Sequence, residues 1–188
     1  AGTSLGGGEY HWGAWRGRGG RGEMEVMARH GTRGSGPEEL LPGTVRVIAC
    51  RMNYASQLSE GWDELAEDQR AYIARYARGR DYHKVLRGRL QQLADRIWAE
   101  VGDFGYRVFT DSAPVMEVEL AANAGIGWRG KHTLLLSREA GSYFFLGEIY
   151  TDIALPVDAP ADNHCGTCAK CIDVCPTQAI RGPYSLDA

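Results

Sequence analysis

No apolar run in the chain approaches the roughly 18 residues that a membrane-crossing helix needs, and the N-terminal stretch has no basic-then-apolar export signal. Charge of either sign is nearly balanced. A formal net charge of −3 gives no global pull toward nucleic acid, so any such contact must come from a local patch. Internal repeats are absent, and cysteine is scarce outside one place. These absences exclude a membrane span and point to a soluble, reducing, cytoplasmic setting. What is present is ordinary for a globular protein: 188 residues, 44% hydrophobic and 24% charged allow one domain with a real core plus a small appendage.

Four of the five cysteines fall within eleven residues, in Cys165-Gly-Thr-Cys168-Ala-Lys-Cys171-Ile-Asp-Val-Cys175-Pro176. This is the C-x2-C-x2-C-x3-C-P spacing of bacterial ferredoxins, in which three thiolates wrap one cubane cluster and the fourth reaches a second. Structural zinc more often takes cysteines in separated pairs, and disulfides within so short a run are sterically poor. The spacing therefore points to iron–sulfur ligation and electron transfer by Cys165, Cys168, Cys171 and Cys175. A second cysteine group, needed to complete two clusters, is expected beyond Ala188. Cys50 lies in the strand-like run Val45-Arg-Val-Ile-Ala-Cys50, where cysteine is most often a small packed hydrophobe.

The pattern predicts three regions. Residues 1–22 are glycine-rich with little apolar periodicity and are expected to be disordered or damaged. Residues 23–155 alternate strand-like and helix-like segments, which implies an α/β domain with a mixed sheet and flanking helices. Residues 156–188 follow a proline- and acid-rich connector and hold the first half of a two-cluster ferredoxin module. Within the middle region a short helix is expected over 23–30, and strands over 44–52, 106–110, 133–137 and 142–151. A helix over 114–124 is also expected. A longer helix follows Asp81, with Leu86, Leu90, Leu93, Ile97 and Val101 as its buried stripe.

Several residues stand out as chemistry. Asp111, in Phe109-Thr-Asp-Ser-Ala-Pro114, ends a strand just before a helix, where α/β proteins place ligands; the same position suits a plain helix cap. Gly125-Ile-Gly-Trp-Arg-Gly130 matches G-x-G-x-x-G in letters, but a helix precedes it and a strand follows, the reverse of a dinucleotide site. A loop that lets backbone approach another large ligand fits better. From Arg70 to Arg89 there are six arginines and Lys84, interleaved with Tyr72, Tyr76 and Tyr82. Tyrosines that stack bases and arginines that hold phosphate form one reading; a solvated helix face with tyrosines inside forms the other. His83 is either structural or ligand-facing.

Six segments, taken together and in order, resemble the epoxyqueuosine reductase family. They are Gly22-Glu-Met-Glu-Val-Met-Ala-Arg-His30, Glu39-Leu-Leu-Pro-Gly43, Arg75-Tyr-Ala-Arg-Gly-Arg-Asp-Tyr-His-Lys84, Phe109-Thr-Asp-Ser-Ala-Pro114, Gly125-Ile-Gly-Trp-Arg-Gly-Lys-His132 and Glu139-Ala-Gly-Ser-Tyr-Phe-Phe-Leu-Gly-Glu148. The resemblance implies a cobalamin-dependent iron–sulfur oxidoreductase of queuosine biosynthesis, fed by two [4Fe–4S] clusters and an external low-potential electron donor. Its implied substrate is the tRNA anticodon loop carrying epoxyqueuosine, and its implied state is a monomer. It also implies that Asp111 is the proton donor, and that Tyr82, His83, Lys84, Gly127, Trp128, Gly130, Lys131 and His132 border cobalamin, with Arg33 and Ala74 near its edge. Val118 departs from the family, standing where arginine is common. By the same resemblance, a chain lacking the second cysteine group is expected to be inactive alone. A reductive dehalogenase or a simple electron carrier are the rival readings of the same motifs.

Overall fold

A computed structural model describes residues 1–5, 8–24, 36–55 and 65–188. The helix expected over 23–30 falls almost wholly outside them, as does Arg33.

The elements are α1 (Gly8–Gly17), α2 (Pro37–Leu40), β1 (Arg46–Asn53), a 3-10 turn (Arg75–Ala77), α3 (Tyr82–Val101), β2 (Tyr106–Thr110), α4 (Glu117–Asn123), β3 (Trp128–Arg129), β4 (Leu135–Leu136), β5 (Phe144–Thr151), α5 (Lys170–Asp173), β6 (Ile180–Gly182) and β7 (Ser185–Leu186). The main sheet has the order β1-β5-β2, and both of its pairings are antiparallel. The expectation of a mixed sheet is thus corrected for the described strands. β1 and β2 do run the same way, as a strand–helix–strand alternation suggests, but β5 inserts between them and pairs antiparallel with each. Parallel contact needs neighbouring strands, and neighbourhood is a tertiary property.

Side chains alternate across β5, so consecutive residues feed opposite cores. Ile149 joins Val108 and the α3 residues Leu86, Leu90 and Ala94 on one face. Tyr150 joins Val47, Phe109 and the α4 residue Leu120 on the other. Helix α3 starts where the side chain of Asp81 accepts from the His83 N–H at 3.0 Å, which satisfies a free first-turn donor. Its buried line is Leu86–Leu90–Ala94 rather than the full predicted stripe, because Leu93 and Val101 face solvent. The sheet covers only part of the helix length, and the leucine pattern alone does not reveal where that cover ends. Gly147 explains how closely helix and sheet approach. A methyl group there would lie 2.8 Å from Leu90 Cδ1 and 3.1 Å from both Leu86 Cδ2 and the Phe109 carbonyl.

The glycine-rich start differs from the expected disorder. It carries α1, Leu5 is buried against Val47 and Leu120, and the Val47 N–H donates to the Ala1 carbonyl at 3.1 Å. The Trp15 indole donates to the Leu186 carbonyl at 2.7 Å. Two tryptophans, Trp12 and Trp15, stack here, so large aromatics supply the burial that glycine cannot. Cys50 on β1 packs among Ile48, Met52 and Phe145 as a core thiol, and burial raises its pKa.

Candidate active site

The first turn of α3 meets the end of β2. Tyr82 Oη donates a hydrogen bond to Asp111 Oδ2, and His83 Nε2 lies 3.4 Å from the same oxygen. The other imidazole nitrogen, Nδ1, is 2.9 Å from Asp81 Oδ1. That bond is the main reason the Asp81 carboxyl titrates below its ordinary range. The Tyr82 ring lies parallel to Phe145 at 3.9 Å between centroids and stacks on His83 at 4.0 Å. Burial first, then the hydrogen bond to Asp111, raises the phenol's pKa, so Tyr82 stays protonated and can only donate to Asp111 in this arrangement.

Asp111 is not a helix cap. Helix α4 begins at Glu117 with Met116 in the cap position and no side-chain cap bond. Five residues separate Asp111 from the helix, and its carboxylate turns to Tyr82 and His83 instead, with 55% of the side chain exposed.

Beside this cluster opens a cleft of about 470 Å³ lined by Tyr54, Tyr76, Tyr82, Phe145, Arg75, Arg78, Arg80 and Arg89, with Met52, Asn53, Ala55 and Val85 between them. The arginine- and tyrosine-rich segment therefore has both an inward and an exposed side. Tyr82 packs inside against Phe145, Tyr76 remains 53% exposed, and four arginines border one opening. Ala74 precedes the 3-10 turn at an exposed position. Lys84 is exposed, with Nζ 3.9 Å from Asp81.

The glycine loop lies elsewhere. Gly127 and Trp128 line a second cleft of about 510 Å³ with Ala49, Arg51, Ser137, Arg138 and His164. A methyl on Gly127 would collide with the Leu136 carbonyl, and one on Gly130 would lie 2.7 Å from the His132 ring. The loop's own hairpin explains these two glycines, so the expected approach of a ligand to their backbone is not what demands them. The Trp128 ring meets His164 edge-on at 4.9 Å, and its buried indole N–H has no hydrogen-bond partner among the described residues. His132 Nδ1 accepts from the Leu134 N–H at 3.1 Å, and burial lowers its pKa. Lys131 turns to the cysteine segment, donating to the carbonyls of Gly166 at 2.8 Å and Cys168 at 2.7 Å. Of the residues expected to border one cofactor, Tyr82 lines the first cleft and Gly127 and Trp128 the second.

All four clustered cysteines are free thiols. Cys165 and Cys168 lie in a loop, Cys171 in α5 and Cys175 just after it. Among the described residues, no three cysteine, histidine or carboxylate side chains converge closely enough to hold a metal ion. The Cys175 thiol titrates below its ordinary range, chiefly through the Ile180 N–H and further through Thr177 and Ala179, which favours the thiolate that metals bind.

Two carboxyls escaped notice in the sequence. Glu148 on β5 is fully buried, and neither of its oxygens has a hydrogen-bond partner among the described residues. Glu117, at the start of α4, has Oε1 buried without a hydrogen-bond partner among the described residues. Burial, then the charge of Asp111, pushes Glu117 up to about 8. Burial, then Glu117, raises Glu148 well above the ordinary range. The signal for Glu148 was readable: it takes the inward place between Leu146 and Tyr150 in an alternating strand.

The fold and site together define an α/β domain that presents an acid, a phenol and an imidazole at the foot of a basic, aromatic cleft. Residues 35–112 match the family model described as epoxyqueuosine reductase QueG, DUF1730. An epoxyqueuosine reductase from Xanthomonas campestris pv. campestris is 59% identical over 188 residues, spanning 100% of this chain and 53% of that protein. A crystal structure of selenomethionine-labelled epoxyqueuosine reductase aligns with a TM-score of 0.80 and 27% identity, over 100% of this chain and 50% of the other. Another, of epoxyqueuosine reductase with an epoxyqueuosine-modified tyrosine tRNA stem loop, aligns with a TM-score of 0.69 and 30% identity, over 81% of this chain and 40% of the other. The chain belongs to the epoxyqueuosine reductase family, and it spans about half the length of the curated relatives it matches.

Proposed function

We propose that this chain carries the acid-bearing half of an enzyme that reduces epoxyqueuosine to queuosine in tRNA. The observation that carries the reading is Asp111, a solvent-reachable carboxyl held between Tyr82 and His83 beside an arginine-lined cleft. Removing an epoxide oxygen requires protons at that oxygen, and the exposed carboxyl of Asp111 supports it as their source. Tyr82 and His83 fix its carboxyl against the α3 terminus, so its orientation is set before substrate arrives. Arg75, Arg78, Arg80 and Arg89 are suited to the phosphates of an anticodon loop, and the exposed Tyr76 ring to a splayed base.

The residues fit the family's cofactors. Four free thiols at ferredoxin spacing are the donor set for [4Fe–4S] ligation, with Cys175 already biased toward thiolate. The unpartnered indole N–H of Trp128 needs an acceptor, which the amides around a corrin offer. Trp128 of the second cleft would border that group, and by the family resemblance so would Tyr82 and His83 beside the first. Bound there, cobalamin would supply a strongly reducing metal centre, and the clusters single electrons from an external donor. On this reading 23–155 is the catalytic domain and 156–188 the start of an iron–sulfur module.

The test uses the full-length enzyme, anaerobically loaded with iron, sulfide and cobalamin, on tRNA bearing epoxyqueuosine, with nucleosides read by mass spectrometry. Asp111→Asn should lower single-turnover conversion by about 10²-fold or more while tRNA affinity holds. Conversion at the wild-type rate by that variant would remove Asp111 from the reaction.

A further inference from the structure

Asp81 does more than a helix cap requires. A cap needs one acceptor for a first-turn N–H, and serine or asparagine would serve as well. Here Oδ1 of Asp81 accepts from the His83 N–H at 3.0 Å and also stands 2.9 Å from Nδ1 of the His83 ring. The plane of that ring is set independently. His83 stacks on Tyr82 at 4.0 Å between centroids, and Tyr82 on Phe145 at 3.9 Å. Stacking leaves one freedom, a half-turn about Cβ–Cγ that keeps the plane but puts Cε1 where Nε2 stands. The bond to Asp81 removes it. The Asp81 carboxyl titrates below its ordinary range, so it accepts only, and the hydrogen of that bond sits on Nδ1.

The other ring nitrogen then has a defined part. His83 Nε2 lies 3.4 Å from Asp111 Oδ2, and two lone pairs facing each other there would repel. One hydrogen between them removes the repulsion, on nitrogen as imidazolium or on oxygen as carboxylic acid. The charged and titrating groups around the ring are Asp81, Tyr82 and Lys84 at the start of α3, and Asp111 at the end of β2.

We propose that Asp81 is a positioning residue for the acid: it fixes His83 with Nδ1–H, so that Nε2 and Asp111 share the proton given to the epoxide oxygen. The inference rests on the function proposed above. As the epoxide oxygen takes that proton, an O–H bond forms there and the bond to hydrogen at the pair breaks. The pair is left as a carboxylate and a neutral imidazole, still held by Asp81. The step transfers a proton alone, and the electrons of the reduction come from the external donor. The His83 side chain is 40% exposed and that of Asp111 55%, so solvent restores the proton between turnovers.

The experiment compares full-length loaded enzyme with its Asp81→Ser and Asp81→Asn variants. Serine keeps the cap but gives up the carboxylate at Nδ1, whereas the asparagine carbonyl can still accept there. Nitrogen NMR of isotopically labelled histidine, with His83→Gln to identify the signals, reads the tautomer independently of turnover. Wild type and Asp81→Asn should hold the hydrogen on Nδ1, and Asp81→Ser should show mixed tautomers. Single-turnover conversion by Asp81→Ser should fall about 10-fold or more with tRNA affinity unchanged, and Asp81→Asn should recover most of it. An Asp81→Ser enzyme with wild-type rate, or with His83 still held as Nδ1–H, would make Asp81 a cap only and leave the proposed function standing. A wild-type enzyme that never converts epoxyqueuosine would overturn both.

Discussion

Glu117 makes stability itself depend on pH, and the size of the effect follows from its surroundings. In the unfolded chain this carboxyl loses its proton near 4.5, whereas in the folded protein it holds on until about 8. A folded-state pKa raised in this way contributes stability that is complete below pH 4.5 and drains away as pH rises through about 8. At about 1.36 kcal/mol per tenfold change in proton affinity, the loss over 4.5 to about 8 reaches roughly 5 kcal/mol. A typical domain has about 5–15 kcal/mol in total, so this is a large share. Glu117→Gln removes the titration and keeps the shape. Urea denaturation of the chain and its variant at steps from pH 5 to pH 9 isolates the effect of Glu117 and the groups coupled to it, since every uncoupled group cancels in the difference. The two should be nearly equal at pH 5 and diverge upward. At pH 9 the variant should be more stable by about 3–5 kcal/mol, a midpoint rise of about 2 M for a slope near 2 kcal/mol per M. Parallel curves across the range would show that Glu117 is solvated or paired, and the reasoning from burial would fail.

Gly147→Ala should lower stability by about 1–3 kcal/mol, measured by the same urea titration, because the added methyl meets Leu90, Leu86 and the Phe109 carbonyl. An unchanged midpoint would mean that α3 stands further from the sheet. Lys131→Met should free the Gly166 and Cys168 carbonyls, seen as faster amide hydrogen exchange across 165–168 with global stability nearly unchanged. Equal exchange rates would show that the ammonium does not restrain the cysteine loop.

Much of the framework was legible from local chemistry. The Asp81 cap, the leucines of α3, the extent of β2 and the alternating run of β5 follow from short-range rules, and the cysteine spacing needs no fold at all to suggest its chemistry. Tertiary structure decided the rest. β5 entered between β1 and β2 and made the sheet antiparallel, a choice that no single strand encodes. Tryptophans and Leu5 ordered a glycine-rich start by packing on distant residues. Asp111 turned to Tyr82 rather than capping a helix because α4 starts at Glu117 and Tyr82 approaches from 29 positions away. Sequence determined which groups could give or hold a proton. Only folding, by burying Glu148 and one oxygen of Glu117 and leaving Asp111 exposed, decided which of them solvent can reach.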